Sequence, residues 1–270
     1  MASPVSLDHL ADIMALLRDP ERGCPWDVEQ TFASIAPHTV EEAYEVLSAI
    51  DDGEPDAIKD ELGDLLLQVV FHARIAEESG LFALDGVIGA ICDKLVRRHP
   101  HVFGEQHVKT ASDQLVNWEN VKEGERSGNG EAKASTLDGV AKALPALMRA
   151  AKLQKRASRV GFDWSDPKDV FAKIREEIAE IETEVVADAP HDRLEDEIGD
   201  VLFAVANLAR KLDVDPEAAL RRTNDKFERR FHFIEQSLEN DGKVLKETSL
   251  DEMEALWCLA KIKERRESTE

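Results

Sequence analysis

Apolar residues along this chain recur every three or four positions between proline and glycine breakers, and alternating runs closed by hairpin turns are scarce. That pattern predicts an all-α fold. Val40, Ala43, Tyr44, Leu47 and Ile50 mark one helix, and Leu62, Leu65, Leu66, Val69, Val70 and Ala73 mark the next, with Asp51-Asp52-Gly53-Glu54-Pro55 between them. The spacing predicts a helical hairpin. In the second half, Val170, Ile174, Ile178 and Ile181 precede Asp188-Ala189-Pro190, and Leu194, Ile198, Val201, Leu202 and Val205 follow it. The hairpin is repeated.

The polar positions repeat as well. Glu41-Glu42-x-x-Glu45 with Asp60-Glu61-x-x-Asp64 matches Glu176-Glu177-x-x-Glu180 with Asp196-Glu197-x-x-Asp200. Residues three apart share a helix face, so each hairpin presents a carboxylate quartet: Glu42, Glu45, Glu61 and Asp64, or Glu177, Glu180, Glu197 and Asp200. The midpoint of Glu45 and Glu61 is Gly53, and that of Glu180 and Glu197 lies between Asp188 and Ala189. Both fall in the turn, which sets the inner carboxylates level across the hairpin, roughly 12 Å from its tip at 1.5 Å per residue. Like charges this close do not all stay ionised without a counter-cation. An all-oxygen set suits Mg²⁺ or Mn²⁺, and Mg²⁺ is usually shared with substrate phosphates. One acidic pair alone reads as a solvated helix face. Two quartets in register with their turns favour a metal. Mid-helix Gly63 and Gly199 weigh the same way, because glycine there costs about 1 kcal/mol relative to alanine and calls for close packing or a ligand near the backbone.

Further matches follow the same order: Gly23-Cys24-Pro25-Trp26 and Gly161-Phe162-Asp163-Trp164 upstream, Asp93-Lys94-x-x-Arg97-Arg98 and Asp225-Lys226-x-x-Arg229-Arg230 downstream. Lys226, Arg229 and Arg230 lie within one turn and suit one anionic group, while Trp26 and Trp164 read as core. Residues 122–136, polar and rich in Gly and Ser, predict a linker between an N-terminal domain (1–121) and a C-terminal domain (137–270). Gly128-Asn129-Gly130 within it lacks the strand and the Gly-Lys-Ser/Thr of a nucleotide loop. The second half also carries Lys173 and Arg193, each four residues before a quartet glutamate, where the first half has His38 and Ala57. Trp257 and Lys261 share a face of a terminal helix with no counterpart in the first half. If one site turns over substrate, it is the second.

The net charge of −22 argues against stable nucleic-acid binding and against an anionic membrane. Apolar runs are too short to span a bilayer, and the amino terminus lacks a signal pattern, so a cytoplasmic protein is expected. Cys24, Cys92 and Cys258 have no paired metal spacing and read as reduced, structural thiols. His99-Pro100-His101 has no further ligand nearby and reads as a turn.

The segments GCPWDVEQTFASIAPHTVEEAYEV, DELGDLLLQVVFHA, DKLVRRHPHVF, ALMRAAKLQKRASRVGFDW, REEIAEI, EDEIGDVLFAVANLAR and NDKFERRF together resemble the two-domain MazG-type nucleoside triphosphate pyrophosphohydrolases over nearly the whole chain. The resemblance implies antiparallel four-helix bundles, a homodimer and Mg²⁺-dependent hydrolysis of nucleoside triphosphates to monophosphate and pyrophosphate by water attack at the α-phosphorus. It also implies broad base tolerance and a role in removing surplus or non-standard nucleotides. Magnesium ligands then fall on Glu177, Glu180, Glu197 and Asp200, with Asp196 adjacent. Substrate contacts fall on Lys173, Arg193, Lys226, Arg229, Arg230, Trp257 and Lys261. The resemblance places catalysis mainly in the C-terminal domain, leaving Glu42, Glu45, Glu61 and Asp64 as a possible second site.

Two other readings stand beside it. A redox-active di-metal carboxylate bundle uses similar glutamates, but the Glu-x-x-His pair is missing, since Asp64 and Asp200 stand where histidine is required. A non-catalytic acidic regulator or scaffold fits the first repeat in particular.

Overall fold

The computed structural model describes residues 6–104, 110 and 135–267. Among these the chain is all-α, with eleven α-helices, one 3₁₀ turn (Leu245–Glu247) and no strand. The chain divides into two compact units, Met1–Asn129 and Gly130–Glu270. Of the expected linker, residues 122–134 lie outside the described residues, as does Gly128-Asn129-Gly130.

In the first unit, α1 (Leu7–Leu17) and the short α2 (Pro25–Glu29) precede the hairpin of α3 (Phe32–Asp52) and α4 (Pro55–Glu78), followed by α5 (Leu84–Arg98) and α6 (Pro100–Phe103). A capping box of Thr31 and Ser34 starts α3, and Gly53 ends it in the left-handed region at φ 76°, where an L side chain is strained. Pro55 opens α4 at its first turn, where a missing N–H costs nothing. Met14, Ile35, Val70, Phe71 and Ile75 form the core, joining α1, α3 and α4. Arg18, 7% exposed, closes one end of it. Its guanidinium grips both Glu78 carboxylate oxygens, donates to the carbonyls of Asp27 and Gln30, and lies 5.3 Å from the Phe71 ring centre.

The second unit repeats the hairpin as α8 (Pro167–Val186) and α9 (His191–Lys211), preceded by α7 (Ala146–Arg159) and followed by α10 (Pro216–Asn240) and α11 (Leu250–Glu267). Asp166 caps α8, Asp215 caps α10, and Asp188 reverses the chain between α8 and α9 at φ 51°. Helix α9 packs on α7 and α8, and α10 on α11 and α7. Val170, Ala204, Ala206, Ile234, Leu238 and Ala260 are buried.

Several apolar positions of the periodic stripes are not in either core. Leu62, Leu66 and Val69 on α4 are 40 to 50% exposed, and so are Ile198, Leu202 and Val205 at the matching positions of α9. The i, i+4, i+7 spacing makes each trio a continuous ridge, because the buried contacts of α4 and α9 fall on a neighbouring face. Gly63 and Gly199 sit beside these ridges, and a Cβ at either would meet nothing within 4 Å. Close packing inside the chain therefore does not explain them. Cys92 and Cys258 are exposed, so neither packs as a structural thiol. Among the described residues no helix is long and apolar enough to cross a membrane.

Candidate functional site

The α8–α9 hairpin brings carboxylates of Glu177, Glu197 and Asp200 to within 4.8 Å of one another. Glu177 and Glu197 are 4% and 8% exposed, whereas Asp200 is exposed, so the cluster is buried on one side and open on the other. Lys173, one turn before Glu177, places Nζ 2.6 Å from Glu177 Oε1 and 2.9 Å from Glu176 Oε1. Arg193, one turn before Glu197, lies 3.1 Å from its Oε1 and 3.0 Å from Glu184 Oε1. Each buried glutamate thus has one cation at the i−4 position of its own helix.

These contacts separate the protonation states. The Lys173 hydrogen bond holds the Glu177 carboxyl below its ordinary range, and the Glu177 and Glu176 contacts hold the Lys173 ammonium well above its own. Glu180, exposed on the surface of α8, is raised by its hydrogen bond to Glu177, by burial and by the charges of Glu177 and Glu197. Glu180 thus shares the field of the cluster without belonging to its closest trio. Asp196 is exposed and one residue off the inward face of α9.

The first hairpin makes the matching trio, Glu42, Glu61 and Asp64, also within 4.8 Å. Among the described residues no Lys or Arg ion pair reaches these three. His38, in the place of Lys173, pairs with Glu41 at 3.2 Å, and Glu42 accepts from the Gln68 amide at 3.4 Å. Burial, then the charges of Asp64 and Glu45, raise Glu42, while burial and then Glu45, Asp64 and Asp60 raise Glu61. Glu45 is exposed; it acts on Glu61 through its charge and on Glu42 through its charge and a side-chain hydrogen bond.

A cavity of about 470 Å³ opens beside the second trio. Lys173, Glu177 and Asp200 form one part of its lining, and Phe162, Trp164 and Phe203 form an aromatic part. Trp164 is 41% exposed and Trp26 54%, so neither is core, contrary to the expectation from residue type. The loop carrying Trp164 is tied down by α9: Arg210 Nη2 donates to Asp163 Oδ1 at 2.7 Å, Lys211 Nζ lies 3.1 Å from Asp163 Oδ2, and Lys211 also donates to the Trp164 carbonyl.

The basic group on α10 lies elsewhere. Arg230 and Arg229 approach Glu264 at 2.8 and 3.7 Å, and Arg230 stacks over Trp257 at 5.3 Å. Trp257 also meets Phe227 at 5.3 Å, Lys226 is exposed and Lys261 half-buried. None of Lys226, Arg229, Arg230, Trp257 or Lys261 lines the cavity. Gln154 and Asn207, which do line it, escape notice in the sequence. Their signal is polar residues on otherwise apolar faces of α7 and α9, with Asn207 three residues before Arg210.

The chain matches the MazG nucleotide pyrophosphohydrolase domain over residues 30–103 and 165–233, so each hairpin falls in one matched segment. It is 48% identical over 259 residues to the nucleoside triphosphate pyrophosphohydrolase of Escherichia coli (strain K12), covering 96% of this chain and 98% of that one. It is 44% identical over 257 residues to the nucleoside triphosphate pyrophosphohydrolase/pyrophosphatase MazG of Thermotoga maritima, covering 95% and 96%. The Mycobacterium tuberculosis nucleoside triphosphate pyrophosphohydrolase is 38% identical over 156 residues, 57% of this chain and 46% of its own.

Proposed function

The chain belongs to the MazG nucleotide pyrophosphohydrolase family, and from that premise we propose that it hydrolyses nucleoside triphosphates to monophosphate and pyrophosphate at the α8–α9 carboxylates. The reaction depends on Mg²⁺ and accepts a broad range of bases, and its cellular role is cytoplasmic control of the nucleotide pool. The observation that carries this reading is a trio of carboxylates, two of them buried, opening on a cavity large enough for part of a nucleotide.

The trio fits a hard cation on its own chemistry. All donors are oxygen, and the buried Oε2 of Glu177 has no hydrogen-bond partner among the described residues, leaving a lone pair without use. Glu177, Glu197 and Asp200 would hold Mg²⁺, with Glu180 and Asp196 at its edge. Bound there, the ion supplies positive charge that polarises phosphoryl oxygens and makes water more acidic. Lys173 and Arg193 hold the two buried carboxylates ionised and in place, and face the anionic substrate. Glu180, close to the trio yet exposed, takes the proton of the attacking water.

The apolar ridge of α9, repeated on α4, supports a homodimer in which a second copy covers it. Lys226, Arg229, Arg230, Trp257 and Lys261 are proposed to contact substrate in that assembly, the cations at its phosphates and Trp257 as an aromatic surface. Among the described residues the Glu42–Glu61–Asp64 trio has neither a lysine nor an arginine partner, which supports ligand binding with weaker turnover in the first unit.

Ion-exchange analysis of products from mixed nucleoside triphosphates, with Mg²⁺ and with excess EDTA, tests the reading. Magnesium-dependent monophosphate and pyrophosphate are expected. Diphosphate with orthophosphate would overturn attack at the α-phosphorus.

A further inference from the structure

Two buried amides line the cavity, and their orientation is decided by what they already bind. Gln154, 8% exposed, spends its Nε2–H on the Phe203 carbonyl at 2.8 Å, which leaves Oε1 buried and without a partner among the described residues. Asn207, 3% exposed, accepts on Oδ1 from Arg210 Nε at 2.9 Å and Nη2 at 2.7 Å, which leaves its Nδ2 hydrogens for another group. A flipped amide at either position would set donor against donor or acceptor against acceptor. The cavity therefore offers one fixed acceptor and one fixed donor beside the aromatic rings of Phe162, Trp164 and Phe203.

Resting on the nucleotide reading above, we propose that this cavity is the base-recognition pocket, with Gln154 and Asn207 reading one donor and one acceptor on the edge of the base while the aromatic rings take its face. A buried acceptor left unpaired is costly, so the pocket selects a guest that carries an N–H at that place. Adenine and cytosine present an amino donor beside a ring-nitrogen acceptor, and guanine and uracil present a ring N–H beside a carbonyl. One donor–acceptor pair thus admits all four and rejects a ring that lacks the donor. Stacking adds affinity without choosing among bases, since each has a π-face. Arg210 is a positioning residue here: it fixes the Asn207 amide and, through Asp163, the loop bearing Trp164.

The test compares kcat/KM for ATP and for purine riboside 5′-triphosphate, whose ring keeps an acceptor but has no donor on that edge. In the intact wild-type protein the ratio is expected to favour ATP by about ten- to hundred-fold, the size of one hydrogen bond lost from a buried group. In Gln154→Leu the ratio is expected to collapse towards one. Should that variant fail to fold by circular dichroism, Asn207→Asp, which replaces the donor by an acceptor and keeps a partner for Arg210, must lower ATP turnover at least ten-fold through KM. Equal use of both triphosphates by the wild type, or an unchanged ratio in a folded Gln154→Leu, overturns the pocket while leaving the hydrolase reading intact. If the wild type cleaves no triphosphate, the hydrolase reading falls, and calorimetry with adenosine in EDTA decides the pocket separately: binding lost in Gln154→Leu upholds it, and no wild-type binding overturns it.

Discussion

Lys173 Nζ lies 2.6 Å from Glu177 Oε1, so a lysine that is 36% exposed anchors a carboxylate that is 95% enclosed, from one turn away on the same helix. The pairing determines how this cluster differs from its duplicate. In the first hairpin the same position is His38, which turns to Glu41 instead, and the trio there keeps its mutual repulsion.

Replacing Lys173 by Met leaves the Glu177 charge with its burial and without its partner. We expect a stability loss of about 1–2 kcal/mol near neutral pH, less than for a fully buried pair because the lysine end is wet. The pH dependence has two limbs. Glu177, lowered in the folded state, contributes stability that is present above its ordinary value of 4.5 and lost as pH falls through its folded value. Lys173, raised in the folded state, contributes stability that is fully present below its ordinary value of 10.5 and lost only as pH rises from there through its much higher folded value, beyond the range in which the fold is usefully measured. Denaturant titrations of wild type and variant between pH 3 and pH 7 should show the acid limb in the wild type only.

Glu180→Gln is nearly isosteric and removes a carboxyl that Glu177, burial and the Glu197 charge hold above its ordinary range. Turnover at saturating Mg²⁺ should fall by at least about 100-fold, or about 2.7 kcal/mol of barrier, with the fold unchanged. Wild-type turnover by a folded variant would remove Glu180 from the chemistry.

The first trio makes the opposite prediction for stability. Glu42 and Glu61 are raised, so ionising them costs the folded state, and that cost appears as pH rises from their ordinary value of 4.5 through their folded values. Glu61→Gln should therefore raise the melting temperature at pH 7 in EDTA, with the gain vanishing below pH 4.5. Adding Mg²⁺ should stabilise the wild type more than the variant, as a calorimetric scan would register.

Gly199→Ala adds a methyl group to open space and removes a mid-helix glycine, which is worth about 1 kcal/mol to the helix. If a second copy approaches the α9 ridge at that glycine, the same change weakens self-association. Sedimentation velocity over a dilution series should show more monomer in the variant, and Gly63→Ala tests the α4 ridge in the same way. Unaltered dimer formation in both would remove close approach as the reason for these glycines.

Helices, hairpin turns and the duplication were legible in the sequence because they rest on local chemistry. A period of three or four, a capping residue and a breaker such as Gly53 or Asp188-Ala189-Pro190 act within a few residues, and the i,i+3 rule puts Glu197 beside Asp200 whatever surrounds them. The i−4 cations Lys173 and Arg193 belong to the same local order. Tertiary structure decided which faces were covered. Periodicity marks Leu62, Leu66, Ile198 and Leu202 as apolar but does not say that α1 and α7 pack elsewhere and leave them in solvent. Residue type suggested a core for Trp164, whereas the Arg210 and Lys211 contacts of α9, nearly fifty residues away, hold its loop at the mouth of a cavity. The same long-range contacts explain why the sequence does not single out Gln154 and Asn207: an amide's free donor or acceptor is defined only once the groups that occupy its other end have been brought to it by the fold.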